Sequence, residues 1–205
     1  MLERKAEIPA ESPAGTDPVS RLMARLREEG FSSDQSEEDF EQYGEIIFTR
    51  PEKISFASGE TAFIFTRVNE LNERIVRQTS ASVVNTYRAR RPMQKALSVL
   101  QSTTVYHCLV ADGDQPRSEP LTNYVTRSGG ATIIPVIFIP EINEVVYPDV
   151  EEKAASIRPR IEYLQYLLGE RREPVDMHRT TVQAFYISLA VVALLVIAVG
   201  FSFIR

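Results

Sequence analysis

Apolar residues run without interruption through the end of the chain, and this run predicts a membrane-spanning helix. Residues 184–204 read AFYISLAVVALLVIAVGFSFI and contain no charge. A helix of about 20 apolar residues, rising about 1.5 Å per residue, matches a hydrocarbon core about 30 Å thick. A buried core helix is usually shorter, and a helix lying on the membrane surface needs a charged face. We therefore predict one C-terminal transmembrane helix, as in a single-pass, tail-anchored protein.

Basic residues lie mainly on one side of this predicted span, and they predict its orientation. Only Arg205 follows the span, whereas the residues before it include Arg158, Arg160, Arg171, Arg172, His178 and Arg179. Segments rich in basic residues stay on the cytoplasmic side of a membrane. The N-terminal part is therefore predicted to be cytosolic, with residues 170–183 as a basic juxtamembrane linker.

The N-terminal region is predicted to combine a disordered tail with one amphipathic helix. Residues 1–16 are polar and small, and they offer little apolar surface to offset the cost of ordering. Asp17 is a suitable N-cap, Pro18 suits the first helical position, and Gly30 can end the helix, which gives a helix over 17–30. Its apolar stripe docks either on the chain's own domain or in a partner's groove. The stripe consists of Val19, Leu22, Met23 and Leu26.

An acidic stretch follows this helix. Residues 31–43 carry several carboxylates together with Phe40 and Tyr43. The composition predicts a solvated linker. The alternatives are an acidic-aromatic interaction segment and an intramolecular partner for the basic residues farther along the chain.

The segment that opens the central region contains one ambiguous pattern. Residues 45–49 and 53–57 predict two short strands around a turn at Arg50-Pro51-Glu52. Residues 62–66 (AFIFT) fit a strand, yet the apolar residues from Ile64 to Ile75 recur at helical spacing. We favour a helix over 60–77 that continues or restarts through 81–90.

The remaining elements complete an α+β domain over residues 44–169. Its sheet is expected to be small and mostly antiparallel, with helices packed against it. Pro135 has no N–H to donate, so its strand is predicted at an edge of the sheet or with a bulge. Pro159 is expected to kink or split the last helix. The predicted elements are a helix over 92–101, strands over 103–111, 131–139 and 144–147, and a helix over 150–168.

Composition narrows the range of functions. The chain has 23 basic and 28 acidic residues, a net charge of −5, and a single cysteine, so no internal disulfide can form. Neither G-x-G-x-x-G nor a P-loop occurs, and one cysteine with two histidines cannot complete a structural zinc site. His107 and Cys108 are neighbours in a predicted strand and should point to opposite faces, so they cannot pair as base and nucleophile. No cofactor is expected.

Two groups of charged residues remain as candidate sites. Asp112 and Asp114 follow a strand and, with Glu141 or Glu144, could hold a divalent metal, although an ordinary turn explains the two aspartates as well. The second group is a basic patch, which fits a solvated helix face, a contact with anionic lipid headgroups or an acidic partner, or nucleic acid. This basic patch consists of Arg74, Arg77, Arg88, Arg90, Arg91 and Lys95.

These observations favour a non-enzymatic, membrane-anchored adaptor or accessory subunit of a membrane-associated complex. The candidate binding residues are Leu22, Met23 and Leu26 of the first helix and the basic patch. Protein partners at the membrane are expected, anionic lipids and homo-oligomerisation through the strand at 131–139 are further options, and nucleic acid is not expected. The alternative is a membrane-tethered, metal-dependent hydrolase that uses Asp112 and Asp114.

Overall fold

The described residues of the chain form seven strands and four α-helices. The computed structural model describes residues 5–7, 17–54, 57–89, 102–112, 125–128, 131–148 and 157–175, together with residue 190. The strands are β1 (Lys5–Glu7), β2 (Glu45–Ile54), β3 (Ala57–Val68), β4 (Ser102–Ala111), β5 (Thr126–Ser128), β6 (Ala131–Ile139) and β7 (Glu144–Val146). The helices are α1 (Pro18–Glu28), α2 (Glu37–Tyr43), α3 (Glu73–Ala89) and α4 (Arg158–Leu167).

The strands form one mixed sheet with a parallel centre. Their order is β1-β7-β6-β4-β3-β2, and β5 also pairs with β6. β4 pairs in parallel with β3 on one side and with β6 on the other, while the outer pairings are antiparallel. The prediction of an α+β fold is confirmed. Four of the six described pairings are antiparallel, but the parallel centre, which was not predicted, makes the sheet mixed.

Central strand β3 buries side chains on both faces of the sheet. Phe63 and Phe65 belong to the apolar core on one face, whereas Ala62 and Ile64 pack on the other face with Val83 of α3. A strand covered on both sides carries consecutive apolar residues rather than alternating ones. The prediction of a helix over 60–77 is therefore wrong, and the helix begins only at Glu73.

Helix α1 packs on the chain's own domain. Asp17 caps it as predicted, since the backbone N–H of Val19 donates to Asp17 Oδ1 at 2.7 Å. Its apolar stripe lies in the same core cluster as the inner face of α4. Leu22, Met23 and Leu26 are at most 2% exposed, so the structure does not offer these three candidate residues to a partner.

Part of the predicted acidic linker is helical. Ser36 and Asp39 form a capping box at the start of α2, and Gly44, with a φ of 71°, ends the helix in the left-handed conformation. Phe40 is buried in the core and meets the ring of Phe65 edge to face. The segment that ends at Tyr43 is thus part of the folded domain.

Strand β6 lies inside the sheet rather than at its edge. On the side away from β4, β5 pairs with residues 131–133 and β7 pairs with residues 137–139. Pro135 lies between these two pairings, where its missing N–H is tolerated. The prediction of an edge strand is therefore wrong, because β6 has neighbouring strands on both sides within the described residues.

Three smaller differences concern element boundaries. β2 runs without a break through Pro51, on the outermost strand of that side, so the predicted turn at 50–52 is wrong. Pro159 lies in the first turn of α4, and residues 150–156 of the predicted helix lie outside the described residues. β1 adds three residues of the predicted disordered tail to the sheet. The predicted helix over 92–101 lies outside the described residues.

We predict that α1 contributes to stability as a core element. Leu26→Ala should lower the free energy of unfolding by about 3 kcal/mol, because it removes a buried side chain and leaves a cavity. Ile142, which is 49% exposed, provides the control, and Ile142→Ala should change the free energy by less than about 1 kcal/mol. Urea unfolding of the full chain in mild detergent measures both. Equally small effects would show that α1 does not pack on this domain.

Candidate functional site

A cleft opens between α1 and the C-terminal end of α4. Its volume is about 630 Å³. Pro18 and Leu22 of α1 and Leu167 and Leu168 of the α4 end contribute to its apolar lining. Both helices pack on the same face of the sheet. The cleft therefore lies between two segments that are neighbours in space but far apart in the sequence.

Arginine dominates the charged lining of this cleft. Among the described residues that line it, Glu28 is the one acidic residue, against Arg21, Arg25, Arg171 and Arg172. Arg25 is neutralised locally, because it forms ion pairs with Glu28 at 3.0 Å and Glu29 at 3.5 Å. Arg171 pairs with Glu162 at 3.3 Å. The cleft therefore keeps a surplus of positive charge.

The surplus comes from Arg21 and Arg172. Arg21 Nη2 donates to Asn143 Oδ1 at 2.7 Å. This amide oxygen is neutral, so it does not balance the charge of Arg21. Its Nε lies out of contact with solvent and has no hydrogen-bond partner within the described part of the chain. Arg172 is exposed and forms no ion pair with any described residue. Two guanidinium charges that no described carboxylate balances together favour an anionic ligand.

Hydrogen bonds hold the two walls of the cleft together. Arg25 Nη2 donates to the hydroxyl of Tyr166 at 3.0 Å, and that hydroxyl donates to Glu29 Oε1 at 2.8 Å. The Arg25 guanidinium also lies over the Tyr166 ring, 5.2 Å from its centroid. Because these contacts join α1 to α4 directly, the spacing between the walls is fixed in the folded protein.

A partly buried polar network continues from the cleft to β2. Arg50 donates to the backbone carbonyl of Glu29 at 2.9 Å and pairs with Glu52 at 3.4 Å. Thr61 donates to Glu52 Oε1 at 2.6 Å. Burial raises the pKa of the nearby Tyr163 to about 12, so this phenol stays protonated at neutral pH.

Arg160 belongs to the interior rather than to the basic surface near the predicted span. It is 6% exposed, and its Nε donates to Thr104 Oγ1 of β4 at 2.8 Å. The Tyr106 hydroxyl donates to the Arg160 carbonyl at 2.7 Å. A buried charge requires such partners, so Arg160 acts as a structural link between α4 and the sheet.

His107 and Cys108 point to opposite faces of β4, as the alternation of a strand predicts. Cys108 lies in the core under α1 and α4, and burial raises the pKa of its thiol well above the ordinary value. His107 lies on the α3 face, where its Nδ1 is 2.9 Å from Ser80 Oγ. Neither side chain has any exposed surface, so neither is accessible to a substrate in this structure.

The proposed metal ligands are only partly within the described residues. Asp112 is exposed directly after β4, Glu141 is exposed in the short 3-10 turn after β6, and Glu144 begins β7. Asp114 lies outside the described part of the chain. Within the described ranges, no group of three or more histidine, cysteine, aspartate or glutamate residues has a geometry suited to a metal ion. The metal-dependent alternative thus gains no support from these positions.

The basic patch falls partly on α3. Arg74 and Arg77 are exposed on this helix, and Arg88 belongs to its last turn. Arg90, Arg91 and Lys95 lie outside the described residues. Since α3 covers the face opposite to α1 and α4, this patch and the cleft lie on different sides of the domain.

The predicted transmembrane helix lies outside the described residues except for Ala190. Among the residues that the structure does describe, no helix is both long enough and apolar enough to cross a bilayer. Comparison of the chain with protein-family models, curated proteins and solved structures gives no match.

The four arginines of the cleft come from two separate regions of the sequence. Arg21 and Arg25 lie on the polar side of the predicted first helix, and Arg171 and Arg172 lie in the predicted juxtamembrane region. Their convergence depends on the pairing of α1 with α4, a contact between segments more than 100 residues apart. No local pattern in the sequence reports such a pairing.

We predict that His107 makes the fold sensitive to acid. Burial lowers its pKa from 6.5 to about 4. Below pH 6.5 the unfolded chain gains a proton that the folded chain does not, so the His107 contribution is complete above that pH. It should decline by up to about 3 kcal/mol as the pH falls to about 4.

The measurement is urea unfolding of wild type and His107→Gln across this pH range, with the difference between them as the readout. NMR titration of the imidazole gives the pKa directly, and a His178→Gln variant identifies the signals of the other histidine. A His107 pKa near 6.5, or identical pH profiles for the two proteins, would contradict the prediction.

Proposed function

We propose that the chain is a membrane-anchored adaptor or accessory subunit that acts, without catalysis, through its cytosolic α+β domain. The observation that carries the proposal is the uncharged run of 21 residues over 184–204. A run of this length suits a single-pass helix, and the basic residues before it suit a cytosolic domain. The predicted localisation is thus a single-pass membrane protein with its N-terminal domain in the cytoplasm.

The organisation of the domain supports a binding role. Its nucleophilic and basic groups at the centre of the sheet, Cys108 and His107, are fully buried. The features it presents at its surface are instead suited to contact with other molecules. They are the arginine-lined cleft and an acidic, aromatic surface on α2.

The α2 surface provides a candidate contact for a protein partner. Tyr43 is 68% exposed at the end of the helix. Glu37, Glu38 and Glu41 are exposed on the same short helix. Tyrosine is enriched at protein interfaces because it offers a large, rigid contact with a polar tip. We propose that a partner with a basic, partly apolar surface docks here.

The anchor is tested by fractionation. The full chain should remain in the membrane pellet after an alkaline wash, whereas a variant that ends at residue 183 should move to the supernatant. Protease added outside intact cells should leave the domain intact, because the basic flank places it in the cytoplasm. Recovery of the full chain in the supernatant, or digestion of the domain from outside, would refute the proposal.

The partner contact is tested by crosslinking the full chain in native membranes, followed by purification in mild detergent. We expect a discrete crosslinked species whose yield falls about tenfold in Tyr43→Ala, since an interface tyrosine contributes about 1–2 kcal/mol. Ile142→Ala, which truncates the other large exposed apolar side chain among the described residues, should leave the yield unchanged. A chain that migrates alone in wild type argues against an adaptor, and a product containing only this chain indicates homo-oligomerisation instead.

A further inference from the structure

We propose that the α1–α4 cleft binds the anionic headgroup of a membrane phospholipid, with its phosphate held between Arg21 and Arg172. This inference rests on the proposed anchoring, and it names a ligand class that the anchoring alone does not imply. It starts from the two positive groups whose charge is not balanced within the described residues. Arginine suits this role because its planar donors match phosphate oxygens.

The geometry of the cleft fits one small anion with an apolar attachment. Its arginines stand beside the exposed Ala24 and the half-buried ring of Tyr166, so a charged head and the adjoining glycerol carbons both find matching surface. The Arg21 guanidinium is half-buried and gives its hydrogen bond to a neutral oxygen, Asn143 Oδ1. A phosphate oxygen at this guanidinium would add a charge-assisted hydrogen bond that no described carboxylate supplies.

The position of the cleft favours a lipid over an acidic peptide. Arg171 and Arg172 line it, and eleven residues separate Arg172 from Ala184, the start of the predicted span. A segment of that length reaches at most about 40 Å. The cleft is therefore tethered close to the bilayer, where the headgroup concentration is high and anionic lipids attract nearby arginine.

The same reasoning separates the cleft from the basic patch on α3. A flat membrane meets one side of a domain at a time, and α3 covers the opposite face of the sheet. Arg74 thus offers a control on the other side. Arg158, at the N-terminal end of α4 and exposed, offers a second, because it does not line the cleft.

The experiment uses the full chain in nanodiscs of phosphatidylcholine. Short-chain phosphatidylglycerol is titrated in, and the NMR signal of the Arg21 Nε–H reports binding. We expect a saturable shift in wild type and about fivefold weaker binding in Arg172→Gln, since one unpaired arginine near an anionic headgroup contributes roughly a fivefold factor. The matched controls Arg74→Gln and Arg158→Gln each remove one positive charge and should bind as wild type does. The backbone amide spectrum shows whether each variant is folded.

Three results would overturn the inference. They are an unshifted Arg21 signal, equal weakening in either control variant, and tighter binding of inorganic phosphate or of a polyglutamate peptide than of the lipid. Because short-chain lipid reaches the cleft with or without anchoring, a chain recovered outside the nanodiscs refutes the proposed function while the titration still decides the cleft.

Discussion

A parallel ladder of three strands, buried on both faces, is the constraint on which the rest of the structure depends. Parallel strands need a connection that crosses one face of the sheet, and α3 lies in the connection from β3 to β4. The other face needs a separate cover, which α1 and α4 supply from opposite ends of the domain. Two helices from distant parts of the sequence thus cover this face together, and the cleft lies where they meet.

Burying a charged side chain between the helices and the sheet costs free energy. Hydrogen bonds and ion pairs to specific residues offset that cost. Arg160 reaches Thr104 across the interface between α4 and the sheet, and Arg50 lies between Glu52 and the end of α1. Removing one partner of such a group leaves an unsatisfied charge, whereas apolar contacts tolerate small shifts. The network therefore fixes how α1 and α4 sit on the sheet, and with it the distance between the arginines of the cleft.

Local signals in the sequence predicted those elements whose pattern has a single interpretation. The Asp17 cap and the stripe of α1 specify a helix by themselves, and alternation in β4 placed His107 and Cys108 on opposite faces. The helix predicted around Ile64 was wrong because the spacing of the apolar residues there fits a helix as well as a strand with two buried faces. Only the pairing with neighbouring strands distinguishes the two structures. The cleft depends on a long-range pairing, so its four arginines appeared in the sequence without any sign that they meet.

The way in which α4 ends has a mechanical consequence. Leu164 and Leu167 are buried, Gln165 donates to the Tyr147 hydroxyl at 3.3 Å, and that hydroxyl donates to Glu170 just past the helix. Tension applied to the chain beyond residue 175 is therefore carried into the sheet through α4 instead of peeling away a loose end.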